Sequence, residues 1–275
     1  MRAAVVQLNS TNDKARNLAA AEGLVRAAAA DGADLVALPE KWNLLAGAEE
    51  LLAGAEPLGG PSLTAARGWA QELGIHLLAG SIAEEGSEKA FNTSVLIGPD
   101  GKDLGTYRKI HMFDVEVGGV AYRESEHEEP GVEIVTAPIG DLLAGLTVCY
   151  DLRFPELYRI LAVRGARLLA VPSAFTSTTG RDHWEVLLRA RAIENQAFVL
   201  APNQVGEAPP NFNSYGHSSI VDPWGKVLAT APGEECFAAA DLDLGAQETV
   251  REKLPSLANR RPQAYAWPQL QEMHS

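Results

Sequence analysis

MRAAVVQLNSTNDKARNLAAAEGLVRAAAADGADLVALPEK, residues 1–41, decides the fold. Residues 1–8 carry the apolar run AAVVQL, short enough for a buried strand. Asp13 is placed to cap a helix on which Leu18, Ala21, Val25 and Ala28 share one face. Gly32 supplies a stop. Residues 34–38, DLVAL, form a second apolar run closed by Pro39. A strand, a helix and a strand in this order make a β–α–β unit, which favours parallel pairing with a right-handed crossover.

The same grammar continues outward. A helix is predicted over 62–73 and a strand over 75–79. Strands over 92–97 and 104–107 flank Pro99-Asp100-Gly101, a hairpin composition. Residues 112–130 are polar and charged and read as a loop. A strand over 141–148 leads into Cys149. A helix over 155–163, a strand over 167–171, a helix over 181–197 and a strand ending at 201 follow. A second hairpin turns at Asp222-Pro223-Trp224-Gly225, and the last strand falls at 236–242. From about residue 246 the chain is a polar tail with Arg260-Arg261-Pro262 and Trp267-Pro268, a composition that suits an arm docking on a partner subunit. No repeat or composition break divides the 275 residues, so one α/β domain spanning 1–275 is expected, with a mixed sheet flanked by helices.

Composition narrows the function. The chain is 46% hydrophobic and 21% charged, as globular proteins are. A net charge of −13 disfavours nucleic acid and anionic membrane as partners. No apolar run approaches the ~20 residues of a membrane span, and no signal peptide is visible. The two cysteines form no framework and no C-x-x-C, so a reducing cytoplasm is the expected compartment. No spacing of His, Cys or acidic residues suggests a metal, and no glycine-rich motif suggests a nucleotide.

Three segments carry chemistry. Cys149, in TVCYDLRFPEL, ends an apolar strand, where sites collect in α/β folds and where the Tyr150 N–H is available to an oxyanion. Glu40, in ALPEK, follows another strand and is placed for general-base work. Lys109, in TYRKIHMF, follows a third, and strand alternation turns either it or Arg108 inward. Near Cys149 an ammonium would lower the thiol pKa. Taken singly, each has a plain structural alternative: a core cysteine, a capping glutamate, a solvated Arg-Lys pair. A Cys-His pairing with His183 or His217 has no local support, and Gly216-His217-Ser218-Ser219-Ile220 lacks the second glycine of a serine elbow.

Together these segments resemble the nitrilase superfamily of carbon–nitrogen hydrolases. LPE at Glu40, RKIHMF around Lys109 and CYDLRFPE from Cys149 match its three motifs in order. PSAFTSTTG from Pro172, HWEVLLRARAIENQ from His183, YGHSSIVDPWG from Tyr215 and RRP from Arg260 are most similar to its Nit branch, which holds deaminated glutathione amidases and omega-amidases acting on 2-oxoglutaramate. RFPELY, LLRARAIENQ and VDPWG lean toward the former. The resemblance implies a four-layer α–β–β–α sandwich with two mixed β-sheets and a homodimer or larger homo-oligomer. It implies a Glu40–Lys109–Cys149 triad that cleaves a small carboxylate-bearing amide through a thioester, with no cofactor. It also implies a second glutamate after the lysine, which falls on Glu124. Phe175, Thr176 and Arg181 are the residues expected to contact substrate. Arg153 is expected to pair with Asp151 or Glu156 as readily as with substrate. A nitrilase proper, an N-carbamoyl-amide hydrolase and a silent scaffold are the rival readings. One departure stands out: Lys41–Asn43 do not follow either Nit subgroup, and this stretch after Glu40 is placed to line the pocket and so to bear on substrate choice.

Overall fold

The computed structural model describes residues 1–264. Among these, six α-helices form: α1 (Lys14–Ala30), α2 (Ala48–Ala53), α3 (Pro61–Leu73), α4 (Pro155–Val163), α5 (Ser177–Asn195) and α6 (Leu244–Lys253). Asp13 does cap α1, its carboxylate accepting from the Arg16 N–H at 3.0 Å.

Two sheets dominate. In the first, the spatial order is Cys236–Asp241, Arg2–Gln7, Leu35–Ala37, His76–Leu78, Ala90–Ile97 and Ile82–Glu84. Asp103–Arg108 and Glu128–Glu129 also pair with Ala90–Ile97. Arg2–Gln7 and Leu35–Ala37 are parallel neighbours joined through α1, as the opening stretch predicts. The second sheet runs Thr136–Ile139, Leu142–Leu146, Leu168–Ala170, Phe198–Ala201, Ser219–Val221 and Val227–Thr230. Each sheet mixes parallel and antiparallel pairs.

Strand alternation explains the layering. Ala4, Val6, Val36 and Leu77 face the helical layer of α1 and α3, meeting Ala21, Val25, Ala66 and Trp69. Ala3, Val5, Leu35, Ala37 and Leu78 face the other way and pack on Ala144, Leu146, Leu168 and Ala170 of the second sheet. The far side of that sheet is covered by α4 and α5 through Leu157, Leu161, Trp184 and Leu188. The result is the α–β–β–α sandwich.

Four stretches differ from the sequence reading. Residues 112–130 are not a plain loop. Asp114–Val117 and Val120–Arg123 pair as a hairpin about Gly118-Gly119, which hold φ of 60° and 77° that favour glycine. Helix α5 begins four residues before the expected position, because the Thr176 hydroxyl caps it. Residues from 246 onward begin as helix: α6 lays the buried Gln247 against the same chain, donating to the Arg167 and Gln196 carbonyls. Trp267-Pro268 lies outside the described residues. A short hairpin of Val205–Ala208 with Phe212–Tyr215, which periodicity did not signal, is also present.

Candidate active site

The carboxyl ends of three parallel strands converge at one end of the sandwich. Glu40 follows Leu35–Ala37, Cys149 follows Leu142–Leu146, and Ala174 follows Leu168–Ala170. Lys109 follows Asp103–Arg108. These four residues line one cavity of about 230 Å³.

Local backbone sets each side chain. The turn after Pro39 packs so tightly on Gly80, at φ 43°, that no side chain would fit there. Lys109 is 1% exposed, whereas Arg108 points out to a two-bond pair with Glu84, so the expected alternation holds. Cys149 has φ 47°, a left-handed conformation uncommon for a side-chain-bearing residue, and its N–H donates to the Pro172 carbonyl at 2.9 Å. It opens a 3₁₀ turn, Cys149–Arg153, so the Tyr150 N–H falls among first-turn donors that lack an intrahelical acceptor.

Buried polar groups hold that turn. Asp151 Oδ2 accepts from the Val148 N–H at 2.8 Å and the Tyr107 hydroxyl at 2.7 Å. Its Oδ1 meets His111 Nδ1 at 2.7 Å. Arg191 donates twice to the Leu152 carbonyl, at 3.0 and 2.7 Å. Asp151 therefore ties the cysteine turn to the lysine segment and is not the partner of Arg153.

The reactive groups form one network. Glu40 Oε1 accepts from Asn92 Nδ2 at 2.8 Å and from Lys109 Nζ at 3.2 Å, and Oε2 accepts from the Ala174 N–H at 2.8 Å. Glu124 accepts from Lys109 Nζ through both oxygens and from the Phe113 N–H at 2.7 Å. Burial opposes the Lys109 ammonium, but Glu124 and Glu40 outweigh it and hold its pKa well above the usual lysine range. Glu124 is likewise kept well below the carboxylate range by Lys109 and Lys41 against its burial. Burial and the adjacent Glu40 push the Cys149 thiol well above its ordinary range, Lys109 opposing. Lys109 thus pulls the thiol down as the sequence leads one to expect, but burial and Glu40 outweigh it, and at rest this is a thiol beside a carboxylate.

Of the other expected residues, Phe175 and Thr176 lie on the cavity wall. Arg181 does not: it is exposed on α5 and away from the cavity. Arg153 lines the cavity instead, its guanidinium 5.1 Å from the Phe175 ring centre and 5.9 Å from that of Tyr150. It bonds His183, and among the described residues no carboxylate pairs with it. Sequence reasoning missed Asn92 and Glu128. Lys41, flagged as part of a departure that could line the pocket, does line the cavity and places Nζ 2.7 Å from Glu128 Oε1. Its neighbour Trp42 is core, and Asn43 bonds Ser62.

A carbon–nitrogen hydrolase family model matches residues 2–252, and the chain belongs to that family. It is a carbon–nitrogen hydrolase acting on amides, of the Nit branch of the nitrilase superfamily. Omega-amidase NIT2 of Danio rerio is 40% identical over 98% of both chains, and that of Homo sapiens 40% identical over 96% of both. Among solved structures, the C. elegans NitFhit protein superposes with a TM-score of 0.90 at 38% identity, covering 96% of this chain. This chain spans 66% of the NitFhit chain. Saccharomyces cerevisiae Nit3 superposes at 0.86 with 31% identity over 96% of this chain and 97% of its own. An amidase from Nesterenkonia sp. AN1, at 0.80 and 27% identity over 96% of this chain and 98% of its own, carries in one mutant acrylamide joined by Michael addition to its active-site cysteine. Among the described residues no helix is long and apolar enough to cross a membrane.

Proposed function

We propose that Cys149 is the nucleophile, Glu40 the general base and Lys109 the fixed cation of amide hydrolysis, with Glu124 holding the lysine. The observation that carries this reading is the shared hydrogen-bonding of Glu40: it contacts Lys109 and the Ala174 N–H while lying against the Cys149 thiol. Glu40 takes the thiol proton as sulfur attacks the amide carbon, so no free thiolate accumulates first. The oxyanion is received by Lys109 and the Tyr150 N–H, a type of contact worth about 100–1000-fold in rate. Glu40 then delivers the proton to the leaving amine, the C–N bond breaks and a thioester remains. Glu40 next draws a proton from water, which attacks the thioester and releases the acid and the thiol.

The substrate we infer is the ω-amide of a short dicarboxylic acid, of the 2-oxoglutaramate type. The cavity of about 230 Å³ is smaller than ordinary ligand pockets of ~300–1,000 Å³, which suits few heavy atoms. Arg153 offers a cation to the second carboxylate. The names of the NIT2 relatives agree with an ω-amide over the deaminated glutathione toward which the motifs lean. A panel of 2-oxoglutaramate, deaminated glutathione, an aliphatic amide, a carbamoyl amino acid and a nitrile, read by ammonia or amine release, tests it. The expected result is fastest turnover of 2-oxoglutaramate, abolished in a folded Cys149→Ala variant. Turnover retained in that variant overturns the nucleophile, and nitrile turnover without amide turnover overturns the reaction class. We also infer a cytoplasmic homo-oligomer; a monomer by light scattering would overturn that assembly.

A further inference from the structure

The cavity holds a second ammonium that the mechanism does not use. Lys41 follows Glu40 directly, with a left-handed φ of 52° and its N–H donating to Ser81 Oγ at 3.1 Å. Its side chain is 13% exposed and lines the cavity, with Nζ 2.7 Å from Glu128 Oε1 and 3.7 Å from Glu124 Oε1. Glu128 is fully enclosed. Despite the short Lys41 contact, neither of its oxygens makes a well-directed hydrogen bond among the described residues. We propose that Lys41, anchored on Glu128, is a positioning residue of the reaction, supplying the second ammonium that balances the carboxylates gathered round Lys109. The inference rests on the amidase reading above.

Glu40, Glu124 and Glu128 face Lys41 and Lys109 in one enclosed cluster. Isolated buried charges are costly, so such a cluster adjusts its protons toward neutrality. Burial, with Glu124 beside it and against the pull of Lys41, pushes Glu128 up to about 8. With Glu128 protonated, the two ammonium groups of Lys41 and Lys109 are left for the two carboxyls of Glu40 and Glu124. Of the other groups on the cavity wall, burial and Lys41 hold His127 below the usual histidine range, burial raises Tyr122, burial and Glu40 raise the Cys149 thiol, and Arg123 and Arg153 are cations. Without Lys41, one ammonium faces two carboxylates. The cluster then takes up a further proton, which Glu40 and Glu124 must share. The base is lost from a fraction of molecules that grows as pH falls.

The test is the pH profile of kcat for Lys41→Met and Lys41→Arg beside the parent. Lys41→Met keeps the stem length and the backbone demand. It is expected to move the acid limb up by about one pH unit, so that kcat falls by about tenfold on the acid side of that limb and little on the plateau above it, with KM within about threefold. Lys41→Arg keeps the charge and is expected to return the acid limb to within about half a unit of the parent. A Lys41→Met limb coincident with the parent's overturns the inference. So does a loss confined to KM, which would make Lys41 a substrate contact. Should Lys41→Met lose its circular-dichroism signature, Glu128→Gln decides. It leaves the Lys41 charge in place, so its acid limb must lie at or below the parent's, and an upward shift overturns the inference. A parent that hydrolyses no amide means that the amidase reading itself has failed; a working parent with an unmoved Lys41→Met profile fails the inference alone.

Discussion

Lys109 Nζ lies 2.8 and 2.7 Å from the two oxygens of Glu124 but 3.2 Å from Glu40 Oε1. The cation is therefore anchored mainly on Glu124, which in the proposed mechanism transfers no proton, and Glu40 is left free to serve the thiol there. Glu124→Gln keeps the shape and removes the charge. Leaving one member of a buried pair behind costs about 3–5 kcal/mol, and because Glu40 still touches Lys109 the lower end of that range is expected. Urea unfolding measures it. A variant as stable as the parent would mean that the pair does not hold the lysine.

Cys149 and Glu40 make a sharper prediction, because two readouts should move in opposite directions. The negative charge of Glu40 helps keep the thiol protonated. Glu40→Gln removes both the base and that charge. Turnover should fall by about 100–10,000-fold, the usual contribution of a positioned base. Alkylation of Cys149 by iodoacetamide at pH 7 should become faster, since the thiol pKa falls and Lys109 still favours the thiolate. Peptide mass spectrometry, with Cys236 as the internal reference, follows both thiols. Slower alkylation together with lost turnover would show that Glu40 activates sulfur at rest, contrary to the thiol ground state.

Much of this was legible in the chain. Ala3 and Val5 against Ala4 and Val6 already encode a strand buried on both faces, and the parallel pairing with Leu35–Ala37 follows from the helix between them. Glu40, Lys109 and Cys149 were findable because each ends a strand or follows one. The pairing of Lys41 with Glu128 was not. They are 87 residues apart by number, and nothing in the chain joins Lys41, beside Trp42, to Glu128 in its charged stretch until the fold encloses both. The sign of the Cys149 shift was also out of reach, because it depends on burial weighed against two charges of opposite sign. Arg181 was misplaced for the same reason: nearness in sequence to Thr176 says nothing about which way the first turn of α5 points. The hairpin about Gly118-Gly119, by contrast, was read as a loop although its signal was present: DVEV and VAYR flanking two glycines carry a hairpin pattern within a charged stretch.

The raised Glu128 pKa carries a stability consequence with a definite sign. Below its ordinary value of 4.5 the carboxyl is protonated in both folded and unfolded chains. Between 4.5 and about 8 the unfolded chain has released the proton and the folded protein has kept it. Folding therefore loses stability as pH rises through that window. Glu128→Gln cannot titrate. Its melting temperature, relative to the parent, should rise from pH 5 to pH 8. Differential scanning fluorimetry across that range reads the difference, and a constant offset would mean that Glu128 ionises normally.

Arg153 makes the substrate claim testable without knowing the physiological amide. Its guanidinium is braced between the Phe175 and Tyr150 rings and bonded at 3.1 Å to His183, so it is fixed on the cavity wall rather than sweeping solvent. A fixed cation with no carboxylate partner among the described residues is suited to an incoming carboxylate. Hydrogen bonds to charged groups contribute about 1.5–3 kcal/mol, so Arg153→Met should raise KM for 2-oxoglutaramate by about 10–100-fold with kcat little changed. A neutral aliphatic amide never uses that charge, and its kcat/KM should fall by less than about threefold, the small residue due to lost ring packing. The ratio between the two substrates is the diagnostic quantity. Equal losses on both would mean that Arg153 only braces Phe175 and Tyr150, and the second carboxylate would then have to be read by another cation on the wall, Lys41 or Arg123.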